Sequence, residues 1–146
     1  KGFAKFGEEF KEDSKICALM AGEYETGITN KTQVDFYVIK GIADEGPCVI
    51  VGRCADRILK ERDDVLRVFI HASDEFRAER IVRLYGESES KPEKRLADKD
   101  AKRRAHYKHY TGEEWGNSLN YHLCLDSGVI GIEKCAEYIV SVMKDE

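Results

Sequence analysis

Residues 47–61 read "PCVIVGRCADRILKE". The apolar run Val49–Val51 is bounded by Pro47 on one side and Gly52-Arg53 on the other, the size and punctuation of a buried strand. Ala55–Glu61 then predicts a short helix. A strand that passes through a glycine into a helix is a unit of an α/β sheet, and in such sheets ligands bind outside the carboxyl ends of the strands. Arg53 is delivered to that edge. Its guanidinium suits a phosphate or a carboxylate, which it grips with paired hydrogen bonds.

The elements on either side follow the same alternation. Upstream, Val34, Val38 and Ile42, with Tyr37 and Ile39 beside them, recur at helical spacing from Thr32 and predict a helix that ends between Gly41 and Gly46. Downstream, "LRVFIHA" (66–72) predicts a second strand, and Ser73 is placed to cap a helix running through Tyr85 to Gly86. Ser90-Lys-Pro-Glu93 has capping-box spacing and predicts the start of a helix over roughly 91–110. After the loop "TGEEWGNSLNY", "HLCLDS" (122–127) predicts a third strand. A last helix carries Ile132, Ala136, Ile139, Val140 and Met143 on one face. Strands alternating with helices imply a mainly parallel sheet with crossover helices. No repeat, low-complexity segment or linker divides the chain, so residues 1–146 are expected to form one domain, with 1–30 the least patterned part.

Bulk properties narrow the function classes. The chain has 146 residues, 42% hydrophobic and 36% charged, enough for one domain with its own core. No apolar run approaches the ~18–20 residues of a membrane helix. The net charge of −4 argues against general nucleic-acid affinity. Five cysteines, at 17, 48, 54, 124 and 135, form no C-x-x-C pair, and Cys48 and Cys124 lie in or beside apolar runs. Reduced thiols and a cytoplasmic setting are expected.

The helix over 91–110 has a different composition from the others. Arg95, Lys99, Lys102 and His106 follow at spacings of four, three and four, in one row, with Arg103 beside it and Arg104 one turn beyond Asp100, its expected ion-pair partner. Lys91 to Lys108 holds eight Lys/Arg against three Asp/Glu, and the apolar residues before Tyr107 are only Leu96, Ala97, Ala101 and Ala105. Such a helix is either a solvated surface or a lid whose cations close over phosphates. Contact with nucleic acid is the weaker reading, for want of repeated aromatic platforms. His106, His109, His122 and Cys124 make a poor metal set, because they fall on different elements. Trp115 and Tyr107–Tyr110 form an aromatic patch expected to pack the base of that helix.

The segments "GPCVIVGRCADRIL", "VFIHASDEFRAERI" and "DKDAKRRAHYKHYTGEEWGNSLNYHLCLDSGVIGIE" together resemble the cytidylate kinase-like family of P-loop nucleotide kinases. The resemblance spans about residues 32–144 in order. It implies a three-layer α/β/α sandwich with a mainly parallel sheet, a core of 31–88 and 111–146, and a helical lid at 89–110. The implied reaction is transfer of the γ-phosphoryl group of ATP, with Mg²⁺, to a nucleoside monophosphate such as CMP. By position, Arg53 matches the arginine that grips the acceptor nucleotide, Arg104 a lid arginine, and Arg103 and Lys99 its neighbours. Ser127 and Gly128 fall where related kinases run past the donor base. Cys54 stands where cytidylate kinases proper carry an Asp suited to the acceptor nucleoside, and Asp56 is the nearby carboxylate in the substrate-binding set.

One element of the family pattern is missing. No G-x-x-x-x-G-K-[ST] occurs, and Gly22 and Gly27 are not directly followed by a Lys-Ser/Thr. The strand preceding that loop lies mid-sheet in this fold, so strands 49–51 and 66–72 are expected to lack a shared neighbour. Three expectations follow: a fragment of a longer kinase (the favoured one), direct re-pairing of the strands, or a gap filled by a partner. A homodimer across an open sheet edge is compatible with the pattern. The functional alternative is a non-catalytic nucleotide-binding or interaction module derived from such a kinase.

Overall fold

The computed structural model describes residues 16–20, 31–88 and 90–144. In chain order the elements are β1 (Ile16–Met20), α1 (Lys31–Glu45), β2 (Val49–Val51), α2 (Ala55–Ile58), β3 (Val65–His71), α3 (Asp74–Tyr85), α4 (Pro92–Thr111), a 3-10 turn (Ser118–Asn120), β4 (Leu123–Asp126), α5 (Ser127–Ile130) and α6 (Ile132–Lys144). The strands form one parallel sheet in the order β2-β1-β3-β4. The protein is thus of the α/β class.

β1 corrects the expectation of a vacant mid-sheet position. Cys17 stands opposite Val49 of β2 and opposite Leu66 of β3, so "ICALM" is the shared neighbour of the two strands. Five apolar residues among turn formers carry no period; their strand state is decided by ladders on both sides. Gly22 therefore comes shortly after a strand, although Gly22 and Gly27 themselves lie outside the described residues.

Strand alternation sends side chains to two faces. On one face Leu66, Val68, Ile70, Val49, Val51, Leu123 and Leu125 pack with Cys135, Ile139 and Met143 of α6. On the other, Ile50 and Val65 pack with Ile39 and Ala43 of α1 and with Ala55 and Leu59. Two helix stripes differ from the sequence expectation. Among the described side chains of α1, which exclude Val34, Ile39 and Ala43 are buried, while Val38 and Ile42 are exposed. In α6 the stripe runs through Cys135 instead of Ile132. Both helices carry apolar residues on several sides, so tertiary contact selects the buried face. Cys124, on the sheet's edge strand, is exposed rather than buried.

The helix boundaries follow local chemistry closely. The Ser73 hydroxyl accepts the Phe76 N–H at 3.3 Å, and α3 ends at Gly86 with φ 76°. α4 starts differently from the expected capping box: Lys91 is the N-cap and makes no side-chain cap, and Pro92 supplies the pre-set first turn. Among the described residues no helix is long and apolar enough to cross a membrane.

Candidate functional site

A parallel sheet places every strand's carboxyl end on one edge. The chain leaves β1 for β2 on one side, then returns to β3 on the other, so the direction reverses beside β1; this is where α/β sheets hold ligands. The ends of β2, β3 and β4 deliver Arg53, His71 and Asp126-Ser127-Gly128 to that edge.

The β2 end is conformationally unusual. Gly52, Arg53 and Cys54 have φ of 76°, 55° and 54°, three left-handed residues in succession, two of them not glycine. Each non-glycine residue held so costs on the order of 1–3 kcal/mol, which the surrounding structure must offset. Three hydrogen bonds do this locally: the Ala55 N–H donates to the Gly52 carbonyl at 3.0 Å, and the Cys54 carbonyl accepts from the Arg57 and Ile58 N–H groups at 2.9 Å. Cys54 then drops into a cluster with Phe69, Tyr107 and Tyr121, with Trp115 against it. Its thiol is buried among rings, so the position held by Asp in cytidylate kinases proper serves packing here. Gly116 lies against the Phe69 ring of this cluster. Its φ is 80°, and a Cβ there would lie 3.2 Å from the Phe69 ring.

Asp56, read from sequence as a substrate contact, is 2% exposed. Its Oδ2 accepts the Tyr107 hydroxyl at 2.7 Å, while Oδ1 is buried without a partner. This corrects the role: the carboxylate points into the protein and ties α2 to α4. Burial pushes the Asp56 carboxyl up, against the hydrogen bond from Tyr107 and the field of Arg67. At the rim of the same junction Arg57 lies 3.4 Å from Glu113.

α4 is more firmly seated than its composition predicts. Leu96, Asp100 and Tyr107 are buried. Asp100 pairs with Arg77 of α3 and with Arg103, not with Arg104 as expected. Arg104 is exposed and, among the described residues, makes no ion pair. Arg103 lies over the Trp115 ring at 6.0 Å. Lys99 lies over the Tyr85 ring of α3 at 5.7 Å, and Arg95 donates to the Gly86 carbonyl at 3.2 Å. Lys99 is thus part of the α3–α4 contact. It stands roughly 12 Å along the helix from Tyr107, whereas Arg103 and Arg104 are within about one turn of it. The tie from Tyr107 to Asp56 therefore links the chain segment that carries Arg53 to the one that carries Arg103 and Arg104, while Lys99 lies two turns further toward the start of α4. The four residues of the poor metal set fall apart too. His106 and His109 meet Tyr110 edge-to-face, and His122 pairs with Arg67 at 2.7 Å.

ATP and Mg²⁺ are what the resemblance implies, and Ser127 and Gly128 are its candidate contacts. The Ser127 hydroxyl donates to the His71 carbonyl at 3.1 Å, and one Asp126 oxygen accepts the N–H groups of Gly128 and Val129. A Cβ on Gly128 would meet Asp126, Ala72 and Phe76 at 3.2–3.4 Å. These groups satisfy one another and join the β3 and β4 ends. Among the described residues, the hydroxyl of Ser127 and the N–H of Gly128 are thus already occupied within the corner.

The family model for the cytidylate kinase-like family matches residues 3–129. The chain belongs to that family. Its kinase-like character thus rests on most of the chain rather than on one motif. Among solved structures, this family member is similar to an uncharacterized protein from Eubacterium ventriosum, 22% identical with a TM-score of 0.75, over 83% of this chain and 69% of that one. That likeness shows the fold alone. No curated protein matches.

Sequence reasoning missed Arg77, whose partner Asp100 is 23 residues away with no local signal. It read Tyr107 as packing the base of the helix, with stacking on a nucleobase the lesser reading, and did not foresee its bond to Asp56. The one available hint was its place a turn after Arg103 and Arg104.

Proposed function

We propose that the chain supplies the acceptor and lid elements of a kinase-like phosphotransferase that acts on a nucleoside monophosphate such as CMP. The observation that carries this reading is Arg53, a half-buried guanidinium at the carboxyl end of β2, on a left-handed turn that α4 braces through Tyr107. Arg53 binds the acceptor phosphate by paired hydrogen bonds. Arg104, exposed on α4, and Arg103 beside it neutralise phosphate charge as the helix closes. Strand order β2-β1-β3-β4, with helices packed on both faces, supports a three-layer sandwich of the P-loop kinase type. ATP with Mg²⁺ is the donor the family implies. In this reading the described residues supply acceptor binding and charge neutralisation.

A second reading, a nucleotide-binding module without turnover, is favoured by the self-satisfied Ser127–Gly128 corner. Calorimetric titration with CMP, repeated on Arg53→Ala, combined with an assay for phosphoryl transfer from ATP·Mg²⁺, separates them. CMP binding lost in the variant, with transfer, supports the kinase. The same binding without transfer supports the module. Wild-type protein that binds no CMP overturns both.

A further inference from the structure

The interior between α2 and α4 holds a polar cluster that neither core packing nor the acceptor site explains. Asp56, Tyr107 and Tyr121 are 2%, 1% and 8% exposed. They come from three separate parts of the chain, and their oxygens meet beneath the left-handed turn that carries Arg53. The Tyr107 hydroxyl donates to Asp56 Oδ2 at 2.7 Å across 51 residues of sequence. Asp56 Oδ1 and the Tyr121 hydroxyl have no partner. A carboxylate placed there is a poor way to fill space, since a buried polar group left half-satisfied is costly. It does have one geometric consequence. Asp56 is three residues from Arg53, and Tyr107 is three from Arg104 and four from Arg103. A single hydrogen bond therefore joins the acceptor arginine's turn to the segment of helix that bears the cations.

We infer that Tyr107 and Asp56 form a latch: Tyr107 is a positioning residue whose hydroxyl holds the Gly52–Cys54 turn in its left-handed form and makes acceptor binding at Arg53 felt by α4. The coupling rests on the acceptor-site reading above; the holding of the turn does not. Two features make the latch directional. The turn's left-handed φ values at Arg53 and Cys54 are ones that L-residues leave when support is withdrawn. And α2 spans only Ala55–Ile58, a single turn seated in the core through Ala55, so a shift of Asp56 passes directly to the turn before it. Tyr121 packs on Phe69 with ring centroids 5.0 Å apart and its hydroxyl acts on Tyr107, but it makes no bond to Asp56, so it serves as the comparison variant.

The test is amide hydrogen exchange on the full chain, free and with saturating CMP, for wild type, Tyr107→Phe and Tyr121→Phe. In the free protein, Tyr107→Phe is expected to raise exchange at the Ala55, Arg57 and Ile58 amides about tenfold, with α3 and α6 unchanged. Tyr121→Phe is expected to leave those amides as they are. With CMP, wild type gains protection across the Arg103–Thr111 end of α4. Tyr107→Phe binds CMP about tenfold more weakly and loses that remote protection. Unchanged turn amides in Tyr107→Phe, or equal effects from both Phe variants, overturn the latch. Retained α4 protection in Tyr107→Phe overturns the coupling. If wild type binds no CMP, the acceptor reading fails, and the turn amides of the free protein still decide whether the latch exists.

Discussion

Arg77 of α3 and Asp100 of α4 meet in a two-pronged ion pair, Nη1 to Oδ2 and Nη2 to Oδ1, each at 2.8 Å. Asp100 also takes Arg103 at 2.7 Å, and Arg77 reaches Asp74 at 3.3 Å. A helix poor in apolar residues is thus fastened by charge. Asp100→Ala leaves two guanidiniums without their shared acceptor, and a loss of about 1.5–3 kcal/mol is expected. Urea unfolding with an unchanged m-value would register this as a lower midpoint. A midpoint equal to wild type would mean the pair contributes nothing.

The same carboxylate gives a pH dependence of definite sign. Burial pushes Asp100 up, but the hydrogen bonds and charges of Arg77 and Arg103 outweigh it and hold the group below the usual Asp range. The unfolded chain therefore binds that proton more readily than the native one. The stabilisation is fully present above the ordinary Asp value, and is lost as pH falls through that value toward the depressed one. Urea midpoints measured from neutral pH downward should decline less steeply in Asp100→Asn than in wild type over that window.

Arg53 sits in the left-handed region with φ 55°. Arg53→Gly removes the strain and is expected to stabilise the fold by roughly 1 kcal/mol while abolishing CMP binding. Arg53→Lys keeps the charge but not the fork, and should bind CMP more than about tenfold less tightly than wild type. Stability by urea and affinity by calorimetry would then move in opposite directions. A destabilised Arg53→Gly would show that the turn does not depend on the arginine's backbone strain.

Arg103 and Arg104 are neighbours in sequence but not in environment. Arg103 is held by Asp100 and lies over Trp115, whereas Arg104 is exposed. Arg103→Ala is expected to lower stability by about 1–2 kcal/mol. Arg104→Ala should leave the urea midpoint within about 0.5 kcal/mol of wild type and weaken binding of the phosphate-bearing acceptor. Equal loss of stability from both substitutions would contradict the arrangement.

Local chemistry in the chain was enough for much of this architecture. The serine at 73 and the glycine at 86 bound α3, the short apolar runs before Gly52 and after Asp64 are strands, and Arg53 stands at a strand's carboxyl end. Each of these depends on residues within a few positions of one another, so the pattern carries it. The family was equally legible, because its motifs run collinearly through most of the chain. Long-range contact decided the rest. β1 is a strand because neighbours pair with it on both sides, the buried stripes of α1 and α6 are selected by the sheet they meet, and Asp100 belongs to Arg77 rather than to Arg104. Asp56 became an interior tie to Tyr107, not a ligand contact, by the same cause. A carboxylate's partner is set by which surfaces fold against it, and no spacing along the chain encodes a hydrogen bond spanning 51 residues.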